Sequence, residues 1–165
     1  MKYAIIENGK VANIARAEAP LADNWIEAGG ARIGDLWDGE AFTSPAPPPP
    51  TDADVNAERT RRLEYGSEFT VAGVANPIPL TGRDFDQSVY LALLLRAQGY
   101  KAAGVTSPIL TLRDRSDVTH NLTPDQMISL ITQSMTWFES VMATSWDMKD
   151  NGIPVDYADD KHWPL

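Results

Sequence analysis

The sequence of 165 residues contains no cysteine, which excludes disulfides, thiolate metal centres and a cysteine nucleophile. Histidine is nearly missing as well. His120 and His162 are the only two, against the three or four His, Cys or carboxylate ligands of a zinc site. Bases are scarce: 14 Lys and Arg stand against 23 Asp and Glu, a net charge of −9. A sequence-independent grip on nucleic acid needs clustered cations, so no nucleic-acid partner is expected. No apolar run approaches the roughly 18 residues of a membrane span. The opening Met1-Lys2-Tyr3-Ala4-Ile5-Ile6 meets Glu7 and Asn8 too soon for a signal-peptide core. These features predict no membrane partner and synthesis in a cytosol-like compartment. Walker and dinucleotide glycine loops are missing, and Tyr65-Gly66-Ser67-Glu68-Phe69 lacks the second glycine of a serine nucleophile elbow. We expect no catalytic residue and no cofactor.

Proline, by contrast, is concentrated. Ser44-Pro45-Ala46-Pro47-Pro48-Pro49-Pro50 fixes φ and removes N–H donors, so it joins neither a helix nor a central strand. It predicts a semi-rigid polyproline II spacer. The expected organisation is a β-hairpin docking module over 1–44, a linker over 45–50 and a C-terminal α/β domain over 51–165. The fold class is α+β, with helices packed on a small, mostly antiparallel sheet.

In the first module, Asn8-Gly9 predicts a type I′ hairpin turn, because both central residues need positive φ. That register sets Glu7 opposite Lys10, Ile6 opposite Val11 and Tyr3 opposite Ile14. A second hairpin around Asp38-Gly39 pairs Leu36 with Ala41, with Trp25, Trp37 and Phe42 buried together or against a partner. Tyr3, Trp25, Trp37 and Phe42 are therefore the candidate partner contacts here.

Beyond the prolines, a helix is expected from Asp52 to Tyr65, ending at Gly66. It has few apolar residues, so it lies on the surface or packs on another molecule. Arg59, Arg61 and Arg62 read as its solvated face. Phe69-Thr70-Val71 and Val74-Ala75 predict a third hairpin that Pro77 and Pro79 terminate. A leucine-rich helix opening at Arg83 or Asp84 and running to Gln98 is apolar nearly all round, which predicts the most buried helix. Two strands, 109–112 and 118–122, precede Thr123-Pro124-Asp125-Gln126, a capping box with proline at the first helical position. The helix it opens runs to about Lys149, with Met127, Ile131, Met135, Phe138 and Met142 on its core stripe. Trp137 falls off that stripe and either packs under the tail or contacts a partner. His120 is expected as an ordinary sheet-face residue, and His162 as part of a solvated acidic tail. Helix-start and turn roles account for Asp84 with Asp86 and for Asp114 with Asp117. Tyr157 and Trp163 pin the irregular tail.

The stretches 2–14 and 34–42, running into prolines, resemble small tailed-bacteriophage proteins encoded near tail fibres. Arg61-Arg62 to Phe69, Thr119-His120-Asn121-Leu122-Thr123 before a long helix, and Ile153-Pro154 to Tyr157 with His162-Trp163-Pro164 resemble an uncharacterised phage domain that accompanies that opening. The resemblance implies a non-enzymatic tail-fibre or baseplate component, with other phage tail or fibre proteins as partners. It also implies a homo-oligomer, trimeric by analogy, made in the host bacterial cytoplasm and carried in the virion tail. A fibre-assembly chaperone missing from the mature particle is the alternative. A carbohydrate-binding module or small hydrolase would need a pocket ringed by Trp25, Trp37 or Trp163 with convergent carboxylates.

Overall fold

The computed structural model describes residues 1–164. It divides into two compact units, one reaching Pro48 and one starting at Pro49. The fold class is α+β, and every strand pair is antiparallel.

The first unit is one five-stranded sheet rather than separate hairpins. Its strands are β1 (Lys2–Glu7), β2 (Lys10–Arg16), β3 (Trp25–Glu27), β4 (Leu36–Trp37) and β5 (Phe42–Thr43), in the order β3-β1-β2-β4-β5. Asn8 and Gly9 take φ of 51° and 73°, as the turn requires. Glu7 faces Lys10 and Ile6 faces Val11, as expected, but a bulge between Ile5 and Ile6 sets Tyr3 against Ala15 instead of Ile14. Val11 and Ile14 are three residues apart, so an unbroken strand would point them to opposite faces. The bulge brings both to the side of the small core of Ala4, Val11 and Ala28. The second hairpin is also corrected, because Trp37 pairs with Phe42 and Leu36 with Thr43. The Asp38 carboxylate accepts from the Glu40 and Ala41 amides at 2.9 and 2.8 Å. That local turn lengthens the loop to four residues.

The second unit opens with α1 (Asp52–Tyr65), capped at Thr51 by a reciprocal box with Asp54. Helix α1 lies on the surface, one of its two expected positions, with most of its residues exposed, and its narrow apolar side packs within the chain. Val55 and Leu63 are buried against Val141, Met148 and Trp163. Strand β6 (Ser67–Phe69) pairs with β7 (Ile78–Leu80), not with Val74-Ala75. The observed pairing buries Ile78 and Leu80 completely, which outweighs the loss of a proline donor. Pro79 sits inside β7 because a two-stranded sheet is all edge. Next come α2 (Asp84–Ala102), β8 (Leu110–Arg113), β9 (Thr119–Leu122) and α3 (Pro124–Asn151). The two hairpins of this unit remain separate two-stranded sheets.

Helix α3 is the spine, about 42 Å long at 1.5 Å per residue. Its capping box forms as the sequence predicts, Thr123 with Gln126. Met127, Leu130, Ile131, Val141, Ser145 and Met148 are buried along it, whereas Met135, expected on that stripe, is 46% exposed. None of the helices in the described residues is long and apolar enough to cross a membrane.

The tail folds back onto α1 and α3. Trp163 is buried, and its indole N–H donates to the Tyr157 carbonyl at 2.6 Å. Asp156 receives Lys161 and His162, and these two hold its carboxyl down at about 2. A depressed carboxyl contributes stability that is present above its unfolded value near pH 4 and is lost as pH falls through the folded value. Amide protection of residues 155–163 should therefore fall between about pH 4 and pH 2. In Asp156→Asn, part of it should already be missing at neutral pH, as hydrogen exchange would report.

Candidate interaction surface

The residues 84–95 contain four leucines, a valine and a phenylalanine with no base among them. Such a helix would be buried if neighbours surrounded it. The fold provides cover on one side only. Ala97 is fully buried, and Tyr90, Leu93, Leu94 and Tyr100 pack on the core formed with Leu110, Leu122, Met127 and Leu130. On the open side Phe85 is 77% exposed, Leu91 53% and Leu95 61%. The expectation that this is the most buried helix is thus overturned, and an apolar face is left in water.

Beside that face runs a groove of about 540 Å³, bounded by the first half of α2, the middle of α3 and the β6–β7 hairpin. Phe69, Leu80, Ile131, Trp137 and Phe138 line it with apolar surface; Asp84, Gln87, Ser88, Ser134 and Glu139 add polar groups. The start of α2 is tied down by side chains. Asp86 accepts from Arg83 at 2.7 Å and from the Thr81 hydroxyl, and Gln87 donates to the Gly82 carbonyl at 2.6 Å. Asp86 is thus occupied as an anchor, and Asp84 stays exposed. The helix-start reading of this pair agrees with what is seen.

Trp137 lies between the two core clusters of the second unit, edge-on to Phe69 with centroids 6.3 Å apart. Its indole nitrogen is buried without a hydrogen-bond partner among the described residues, a state that costs about 1–3 kcal/mol. Of the two readings of this tryptophan, the packing one describes its position, with one edge left on the groove wall.

In the first unit the aromatics form two pairs instead of one cluster. Trp37 stacks on Phe42 at 4.5 Å near the β5 edge, and Trp25 lies 6.2 Å from Tyr3 at the β3 edge. Tyr3 is only 5% exposed, so it supports the sheet and offers no contact surface. Trp25, Trp37 and Phe42 are half-buried and present partial faces. Trp163 is enclosed in the second unit's core, and within the first unit Trp25 and Trp37 lie on strands separated by β1 and β2.

The charged groups singled out in the sequence are engaged in structure. His120 Nε2 lies 2.7 Å from the buried Asp114 carboxylate, which also accepts from the Ser116 and Val118 amides. Burial pushes that carboxyl up, but the bonds from His120, Val118 and Ser116 outweigh it and leave it low. His120 therefore pins the β8–β9 turn, which is more than a sheet-face role. The solvated-face reading of the arginines holds for Arg61, whose side chain is 61% exposed, and fails for Arg59 and Arg62, which are drawn into contacts. Arg61 and Arg62 both bind Glu58, Arg62 also reaches the Ala158 carbonyl and Asp160, and Arg59 donates to Ser145. Among the described residues, no cluster of three or more His, Asp or Glu is placed to hold a metal ion.

Sequence reasoning missed Phe85, Leu91 and Leu95 as surface residues. A signal was present: Ser88, Ala92 and Gly99 fall on the same side of the helical wheel as Leu95, and small residues there leave room for another helix. Residues 48–160 match the model of a family described as a domain of unknown function (DUF4376). No curated protein and no solved structure matches the chain.

Proposed function

We propose, for a chain that belongs to the DUF4376 family, a non-enzymatic role as a bacteriophage tail component that connects partners through protein–protein contacts. The observation that carries this reading is the water-exposed apolar face of α2, with Phe85, Leu91 and Leu95 beside an open groove. A monomer gains nothing from keeping these side chains in water, whereas a docked partner would bury them. Two compact units joined at a run of prolines suit a connector, because the proline segment resists collapse. Partner choice, tail or fibre proteins, follows from the sequence resemblance. The half-buried Trp25, Trp37 and Phe42 supply the contact of the first unit.

The test is the protein inventory of purified particles. A tail component is found by mass spectrometry at a fixed copy number, and its loss from particles carrying the double change Trp37→Ala, Phe42→Ala would tie the first unit to docking. Absence from particles sinks the structural role. The groove favours one second reading, a chaperone that shelters an apolar segment of newly made fibre. That protein would co-purify with nascent fibre and be missing from finished particles.

A further inference from the structure

We propose that Arg59 and Lys149 form a binding point, on the seam between α1 and α3, for a carboxylate supplied by a partner protein. The site is separate from the α2 face and its groove, and it goes beyond the connector role by naming a chemical group that is recognised.

The observation is a pair of cations that the fold leaves without an anion. Seven of the ten Lys and Arg in the second unit lie within 4.0 Å of a carboxylate. Among the described residues Arg59, Arg96 and Lys149 have none, although the unit contains sixteen acids. Arg96 is exposed, so water solvates its charge. Arg59 and Lys149 are half-buried, and their partners are neutral. Arg59 donates to the Ser145 hydroxyl at 3.4 Å, and Lys149 donates to the Asn56 side-chain oxygen at 3.1 Å. A cation drawn partly out of water onto neutral groups has lost solvation that a carboxylate would restore.

The fold sets the two cations side by side. Asn56 and Arg59 follow one another along α1, while Lys149 and Ser145, which they meet, stand in reverse order on α3. The helices therefore run antiparallel here. Three residues on α1 and four on α3 separate the two contacts, about one helical turn or roughly 5 Å. A carboxylate between them would accept from both cations at once.

Local charge selects a monoanion. Asp52 is exposed one turn before Asn56 on the same side of α1, without an ion pair to either cation. Glu58 is taken by Arg61 and Arg62. Asp147 and Asp150 stand at spacings from Lys149 that do not share a helix face. Two cations against Asp52 leave a local charge of +1. A carboxylate neutralises it, whereas a phosphate dianion overshoots in a chain of net charge −9. Trp146, 52% exposed and one turn before Lys149, gives the segment bearing that carboxylate an apolar ring to rest on, which a free ion would leave unused.

The experiment is a low-salt NMR titration of the isotope-labelled full chain with the peptide acetyl-Leu-Glu-Leu amide, its Gln counterpart and inorganic phosphate. The Glu peptide should shift the Arg59 Nε–H and the Trp146 indole N–H and saturate at millimolar concentration, with the Gln peptide and phosphate each about tenfold weaker or more. The double variant Arg59→Gln, Lys149→Gln should lose the response at Trp146, with its fold checked by circular dichroism. Lys149→Gln alone, whose head group contacts only Asn56, should weaken binding severalfold, and Arg61→Gln should leave it unchanged. No shift up to about 20 mM peptide, equal responses to the Glu and Gln peptides, phosphate that binds more tightly than the peptide, or binding that survives both Lys149 variants would each overturn the proposal. No phage particle enters this titration, so its failure leaves the virion test of the connector role untouched, and the reverse holds too.

Discussion

Gly66→Ala is expected to be the most damaging single methyl group that can be added to this protein. Gly66 ends α1 with φ of 80°, and a Cβ there would lie 1.7 Å from the Leu80 carbonyl oxygen and 2.7 Å from the Thr81 Cα. Both are backbone atoms in or just after β7, so no rotamer change relieves the overlap. The β6–β7 hairpin would have to move off the end of α1, exposing Ile78 and Leu80, which are buried at 0% and 1%. That backbone, φ of 80° with ψ of −167°, is open essentially to glycine alone and by itself costs about 1–3 kcal/mol for another residue. Adding the lost packing brings the expected cost to on the order of 4 kcal/mol or more, a large share of the stability of an ordinary domain. Gly104→Ala is the matched control, with φ of 74° and nothing within 4 Å of the added carbon. Urea unfolding followed by circular dichroism should show a shift of about 1 kcal/mol for Gly104→Ala and failure to fold, or a far larger shift, for Gly66→Ala. Equal effects would mean that α1 and β7 are not in contact at this point.

Arg62→Met should have the second-largest effect, and a local one. The Arg62 side chain is 12% exposed, and it contacts Glu58 at 2.7 Å, Asp160 at 2.8 Å and the Ala158 carbonyl at 2.9 Å. Its guanidinium also sits 5.1 Å from the centre of the Trp163 ring. Removing it leaves Glu58, whose side chain is 10% exposed, facing Arg61 alone. Breaking one side of a largely buried ion pair costs about 3–5 kcal/mol in the strongest cases. Asp160 is exposed, which discounts that share, so about 2–3 kcal/mol is expected. The loss should fall on the tail first. Amide protection of residues 155–163 should drop in hydrogen exchange while the α2–α3 core keeps its own. Arg61→Met, at a side chain 61% exposed, should change stability by less than about 1 kcal/mol. If the two variants behave alike, the arginines form the solvated face that their spacing suggested.

These contrasts mark where reading the chain works. Local chemistry was legible: the Asn8-Gly9 turn, the Thr123 cap and the proline break at the boundary between units are each set by residues within a few positions of one another. Sequence-local energies decide such features, so no distant contact can reverse them cheaply. The fold class followed from the same elements. The candidate surface was not legible. A leucine-rich run states that the helix prefers apolar surroundings, but not how many neighbours exist to provide them, and α2 has cover on one side only. Similarly, the Val11 and Ile14 spacing carries a bulge that is apparent only when both side chains are required on one core. The Arg62 cluster spans nearly a hundred positions of chain, and its partner Trp163 gives no local sign of it. Short-range propensity thus wrote the elements into the chain, and long-range packing, which the linear order does not encode position by position, set which of their faces stay in water.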